Sequence, residues 1–125
     1  MELYESLRLK QAKIISDNPV SIIINRISRT YDGSGGFVET TSTLPVQLVR
    51  IYAKNKRVLN IAAGGFVTSK ITKMLALYTA DMESESETFL DTFIYGGKTY
   101  KISYVEDVTT QGYVCWCEAE VEEIK

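Results

Sequence analysis

The chain contains no histidine, which removes the side chain most often used as a general base near neutral pH and most often found on a transition metal. Cysteine is nearly as scarce. Cys115 and Cys117 are the only two, spaced so that both fall on one face of a strand beside Ala119 and Val121. Two thiolates without histidine or further cysteine do not complete a zinc site, and positions two apart on one extended strand do not suit a disulfide. The pair therefore reads as small buried hydrophobes. No apolar run approaches the roughly 20 residues that a membrane-spanning helix needs. Leu3 to Ile15 is interrupted by Glu5, Arg8, Lys10 and Lys13, which argues against a secretion signal and places the chain first in a cytoplasm. Glu118, Glu120 and Glu122 alternate on the face opposite the cysteines, but no apolar pocket flanks them to support acid–base work. The expectation is a protein with no enzymatic activity, no catalytic residue, no cofactor and no metal.

What is present reads as one domain, since 125 residues can bury a core without disulfides or metals. The net charge of −2 gives no bulk attraction to nucleic acid or to an anionic membrane. Its distribution is uneven. Residues 1–74 hold eleven Lys or Arg against five Asp or Glu, a balance of +6, and residues 75–125 hold three against eleven, a balance of −8. Opposite fields on one small subunit suit head-to-tail or ring assembly, although scattered surface charge also produces such splits.

Residues 1–17 read as a helix, with Leu3, Leu7 and Ile14 at near-helical spacing and Asn18-Pro19 as its stop. Val20 to Tyr31 is strongly β, and Asp32 to Gly36 is a hairpin turn that lacks the following Lys-Ser/Thr and helix of a phosphate cradle. Phe37 to Ala53 runs extended, with Pro45 marking an edge or bend. Ile71 to Ala80 suits either period and is read as strand. Glu83 to Glu87 is a solvated acidic turn. Leu90 to Ile124 is a meander: two β-prone runs flank Gly96-Gly97, and a third begins at Tyr113. Tyr100, Ile102 and Tyr104 are expected on one face of it. Trp116 shares a strand face with Glu118, Glu120 and Glu122; it suits an interface anchor, or a ring covered by the N-terminal helix. The fold class is mainly β: a small antiparallel β-barrel of strands in 20–53 and 71–124, with an N-terminal peripheral helix and a long, flexible inter-strand loop over 54–67. Loops of that length in compact domains are commonly functional.

In order and spacing these pieces resemble the head-closure, or stopper, proteins of tailed-phage necks and the related head–tail connectors. The resemblance is carried by Asp17-Asn18-Pro19-Val20-Ser21-Ile22 after a helix, the Gly33 to Gly36 turn, Leu75 to Met82, Asp91-Thr92-Phe93, Gly96-Gly97-Lys98-Thr99-Tyr100-Lys101-Ile102 and Ala119-Glu120-Val121-Glu122. The chain departs from the family pattern in the longer segment Glu83 to Thr88 and in Cys115-Trp116-Cys117. The resemblance implies a structural protein that forms a sixfold or twelvefold ring under the portal or adaptor protein. Such a ring closes the DNA exit channel, and a tail terminator or tail-completion protein docks below it. Its place would be the host cytoplasm during assembly and then the virion neck, without a membrane. The long loop would gate or line the lumen: Lys54, Lys56 and Arg57 against DNA phosphates without sequence readout, Ala62, Ala63, Gly64 and Gly65 as hinges, and Val58, Leu59, Ile61 and Phe66 as an apolar plug. Trp116, Glu118, Glu120 and Glu122 would serve an interface. The alternatives are a tail-completion or terminator ring protein, or a monomeric barrel that binds a ligand or nucleic acid through Tyr100 and Tyr104.

Overall fold

The computed structural model describes residues 2–60 and 65–124, with 54–60 and 65–70 described in backbone only. Helix α1 spans Leu3–Asp17 and ends where Asn18 precedes proline, its N–H donating to the Ile15 carbonyl. The strands follow as β1 (Val20–Ile22), β2 (Asn25–Tyr31), β3 (Phe37–Thr43), β4 (Gln47–Asn60), β5 (Gly65–Leu77), β6 (Phe89–Tyr95), β7 (Lys98–Thr110) and β8 (Tyr113–Glu123). They form one antiparallel sheet in the order β1-β4-β5-β8-β7-β6-β2-β3, curled into a half-barrel.

The extended run from Val20 breaks at Ile23–Ile24, and the break shapes the curl. Its first half pairs with β4 and its second half with β6. One continuous segment thus bridges the two flanks of the half-barrel. Ile22 and Ile24 are both buried at the break, in the cluster with Val49, Met74, Ala76, Phe93, Ile102, Cys117, Ala119 and Val121. Strand alternation explains most of that list. Cys115, Cys117, Ala119 and Val121 point inward along β8, while Trp116, Glu118 and Glu120 on the other face remain half-buried.

The turns are chemically explicit. Gly96 and Gly97 both take positive φ (59° and 77°) in the two-residue β6–β7 turn, the backbone that matches the twist of its strands. In the β2–β3 turn the Asp32 carboxylate accepts from the Ser34 and Gly36 N–H groups at 2.7 and 3.2 Å. The expectation that Tyr100, Ile102 and Tyr104 share one face is corrected by a bulge. Ile102 pairs with Val121 and Tyr104 with Glu120, so Ser103 is an extra residue and the alternation resets. Ile102 is buried and Tyr104 is 54% exposed. At the bulge, the Glu85 N–H donates to Ile102 O and the Ser84 hydroxyl accepts from the Val105 N–H. The acidic segment read as a free turn thereby runs alongside β7.

The second correction concerns residues 54–67. Among the described residues, 54–60 and 65–67 are strand, continuing β4 and β5 as a paired ribbon from Lys54↔Ile71 to Asn60↔Gly65. Lys54-Asn55-Lys56-Arg57 lacks the alternation of a half-buried strand and so resembles a loop in sequence. A ribbon beyond the core needs no such alternation, because cross-strand hydrogen bonds rather than a buried face set its register. Ile61 to Gly64, including two proposed hinge alanines, lie outside the described residues.

α1 packs across β8, β5 and β4, where Ile15 is buried. Arg8 fixes the contact. Its Nε donates to the Val114 carbonyl at 2.9 Å, and its guanidinium lies 3.8 Å from the Tyr78 ring centroid. Tyr4 stacks on Tyr113 at 4.0 Å. Helix and sheet therefore meet through rings and a cation.

A charged pair joins Arg26 on β2 to Asp91 on β6, which face each other in the register. Asp91 is fully buried. Its carboxylate accepts from Arg26 Nε and Nη2, both at 2.8 Å, and from the Glu83 N–H at 2.8 Å. Arg26 Nη2 also reaches Asp81 at 3.0 Å. The hydrogen bond to Asp91 raises the guanidinium pKa above its ordinary value. Removing one partner from such a pair strands a desolvated charge, whereas Asp81, with its side chain 57% exposed, holds a solvent-screened contact. Asp91→Asn is therefore expected to lower unfolding free energy by about 3 kcal/mol or more, and Asp81→Asn by less than about 1 kcal/mol. Urea denaturation of the two variants measures the contrast, and equal losses would refute the assignment of Asp91 as the anchor.

Candidate functional site: a basic arm and an acidic flank

β1 leaves β4 at Val49, and β8 begins to pair with β5 at Thr72. Between those limits and the tip, the ribbon Lys54–Asn60 with Gly65–Ile71 has no third strand among the described residues. Its seven pairs extend about 23 Å at the usual strand rise. Lys54, Lys56, Arg57 and Lys70 belong to it, and its strands contain no Asp or Glu. The register places Val58 opposite Val67 and Leu59 opposite Phe66. A lone two-stranded ribbon is marginally stable in water, so an arm of this composition calls for something to lie against.

Of the residues singled out in the sequence, Lys54, Lys56, Arg57, Val58 and Leu59 are thus on β4, and Gly65 and Phe66 on β5. Ile61 and Gly64 lie outside the described residues. The second group sits on β8. Trp116 is half-buried and its Nε1–H donates to Glu118 Oε1 at 3.2 Å. Among the described residues, neither the hydrogen bonds nor the ring contacts of α1 reach Trp116. Glu118 also lies 3.8 Å from Lys73, and Glu122 3.8 Å from Lys101. The glutamates are therefore partly matched by lysines on neighbouring strands. Lys101 is held more strongly by Glu85 at 2.8 Å, and that hydrogen bond raises the lysine pKa. Tyr52, opposite Lys73, has its pKa raised by burial and then by the charge of Glu118.

The acidic flank extends through Asp81, Glu83, Glu85 and Glu87, all exposed. Sequence reasoning treated these as solvated charge and missed what anchors them. The available signal was Asp91, an acid two residues before Phe93 on the same face of an apolar strand, a position that demands a cationic partner. Tyr100 and Tyr104, proposed together as a base-stacking platform, are not brought together. Tyr100 is half-buried, its ring centroid 5.7 Å from that of Phe93, and Tyr104 faces the other way. A hollow of about 460 Å³ lies where β4 begins and β5 ends. It is lined by Pro45, Val46, Leu48, Leu77 and Ala80, with Gln47 bonded across to the Asp81 main chain. No group of His, Cys, Asp and Glu among the described residues is arranged to hold a metal ion, and no helix is long and apolar enough to cross a membrane. No protein-family model matches the chain, and no curated protein matches its sequence.

Both cysteines are free and buried. Burial, reinforced by a hydrogen bond to Asp107 at 3.3 Å, pushes the Cys117 thiol up to about 12 from an ordinary 9.0. The protonated thiol is favoured by the fold, so its contribution to stability is whole below pH 9.0 and is lost as pH rises towards about 12. Replacing Cys117 with alanine should flatten the stability curve across that window relative to the parent chain. At pH 8 the thiol should resist a disulfide reagent until urea unfolds the protein; rapid labelling of Cys117 in the folded chain would contradict the assignment.

Proposed function

We propose that the protein is a structural neck component of a tailed phage or phage-like particle. It forms a ring that closes the DNA exit channel and presents a docking surface for the tail. The observation that carries the reading is the basic two-stranded arm. Packaged DNA is a dense line of phosphates, and a channel that passes any sequence needs positive charge without base readout. Lys54, Lys56, Arg57 and Lys70 provide such charge, and the apolar pairs Val58–Val67 and Leu59–Phe66 lie next to the tip. An arm about 20 Å or more long lets a small subunit place this charge away from its own body.

The order of the segments that resemble head-closure proteins adds support from Asn18-Pro19 through Gly96-Gly97 to the β8 glutamates. The same resemblance supplies the partners: a portal or adaptor above and a tail terminator or completion protein below. The position of Tyr100 and Tyr104 on opposite faces weighs against a monomeric nucleic-acid barrel.

The test is electron microscopy of particles assembled without the protein, and of particles carrying Lys54, Lys56 and Arg57 replaced by glutamate. Absence is expected to give filled heads that lack tails and leak DNA. The charge reversal should leave the isolated chain folded, because the seven arm pairs lie beyond the parts of β4 and β5 that β1 and β8 flank, and should give particles that lose or fail to deliver their genomes. Tail-free heads that retain their DNA would move the protein to the tail-completion step. Normal infectious particles in both cases would refute the proposal.

A further inference from the structure

All seven residues of β3, Phe37–Thr43, are exposed. The strand ends the sheet and is paired on one side only. The ladder determines which of its main-chain groups face the open side. The Arg29 N–H donates to Thr88 O and so points away from β3; the Asp32 N–H donates to Gly36 O, and the Leu44 N–H to Ile24 O. In an antiparallel pair these bonds make Arg29↔Glu39, and every second pair from it, the positions that do not bond each other. Phe37, Glu39, Thr41 and Thr43 therefore turn their N–H and C=O groups to the open edge, while Val38, Thr40 and Ser42 bond β2. Exposed edges are usually blunted by lysine, proline or a bulge. β3 has none of these, and its register runs unbroken from Asn25↔Thr43 to Tyr31↔Phe37.

The same subunit offers a second open edge. Beyond Val49, the β4 strand of the arm has β5 on one side and no strand on the other among the described residues. Its length within the arm, Lys54–Asn60, equals that of β3 at seven residues. Lys54, Lys56 and Arg57 lie on the arm strand, whereas Glu39 of β3 is already bonded to Arg29 at 3.0 Å. The acidic charge beside β3 comes from the adjoining 83–87 segment, with Glu87 lining a hollow with Arg29, Tyr31 and Phe37. Two edges of equal length on different parts of one molecule can pair head to tail from copy to copy.

We propose that β3 of one copy pairs edge to edge with the arm strand Lys54–Asn60 of a second copy, with the basic arm alongside the 83–87 segment. The joint deepens the ring reading and rests on it for closure. Edge pairing itself uses main-chain groups.

The experiment uses the full chain at low and high salt, with light scattering for mass and hydrogen exchange for the amides. Thr41→Pro removes an outward N–H and leaves the β2 ladder intact, so thermal unfolding should change little while association weakens by at least about tenfold. Raising salt should weaken association further, since Glu83, Glu85 and Glu87 are exposed. In the parent chain, the Glu39 and Thr41 amides should exchange more slowly in assemblies than in dilute monomers, a readout that does not depend on the variant folding. Undiminished association of a folded Thr41→Pro, or unchanged exchange at Glu39 and Thr41 on assembly, would overturn the joint and leave the ring reading intact. A parent chain that stays monomeric at every concentration would also overturn self-pairing, and the particle experiment alone would then decide the neck reading.

Discussion

The Arg26–Asp91 pair is the constraint to which most of the sheet answers. A carboxylate at an inward strand position is tolerated only if its oxygens are filled, and here the guanidinium fork and the Glu83 N–H fill them. Because the two residues face each other across β2 and β6, a slip of two positions, which keeps the inward face inward, would leave the Asp91 carboxylate buried without its guanidinium. The pair therefore specifies register where β-branched packing alone would leave it loose. It also reaches beyond the two strands. Asp81 and Glu83 bind the same cluster, which positions the acidic segment against β7 and completes the ladder at the bulge.

Much of this architecture was legible in the chain. The helix stop at Asn18-Pro19, the Gly-Gly turn and the inward run Cys115, Cys117, Ala119, Val121 follow from local stereochemistry and period-two alternation. What was not legible depended on neighbours. Ser103 carries no local mark of a bulge; the extra residue is accommodated because Ser84 and Glu85 take up the main-chain groups it releases. The arm was hidden for a related reason. Lys54-Asn55-Lys56-Arg57 shows no period-two alternation, the signal by which a strand is read from sequence. The candidate residues were read as an open loop, and their geometry as paired strand could come only from the register of β4 on β5.

The charge split along the sequence also gains a spatial meaning. The basic surplus of the first 74 residues includes the β4–β5 extension, and the acidic surplus gathers on the 81–87 segment and on β8. Lysines from the sheet already screen part of the second group, as Lys73 does for Glu118 and Lys101 for Glu85 and Glu122. Such pairs on a surface contribute little to stability. Their effect is rather to shape which acidic surface remains for another molecule.

The clasp of α1 on the sheet carries a consequence for how the chain comes into being. Arg8 and Tyr4 are held by Val114 and Tyr113, more than 100 positions later in the chain. The helix can rest on β4 and β5 before then, but its clasp is incomplete until β8 is synthesised, and β8 lies at the middle of the strand order, joining β5 to β7. Partial chains therefore hold separate hairpins with their edges bare, and closure is a late, nearly simultaneous event. Until β8 arrives, the edges of β5 and β7 that it will cover stand open to any other strand.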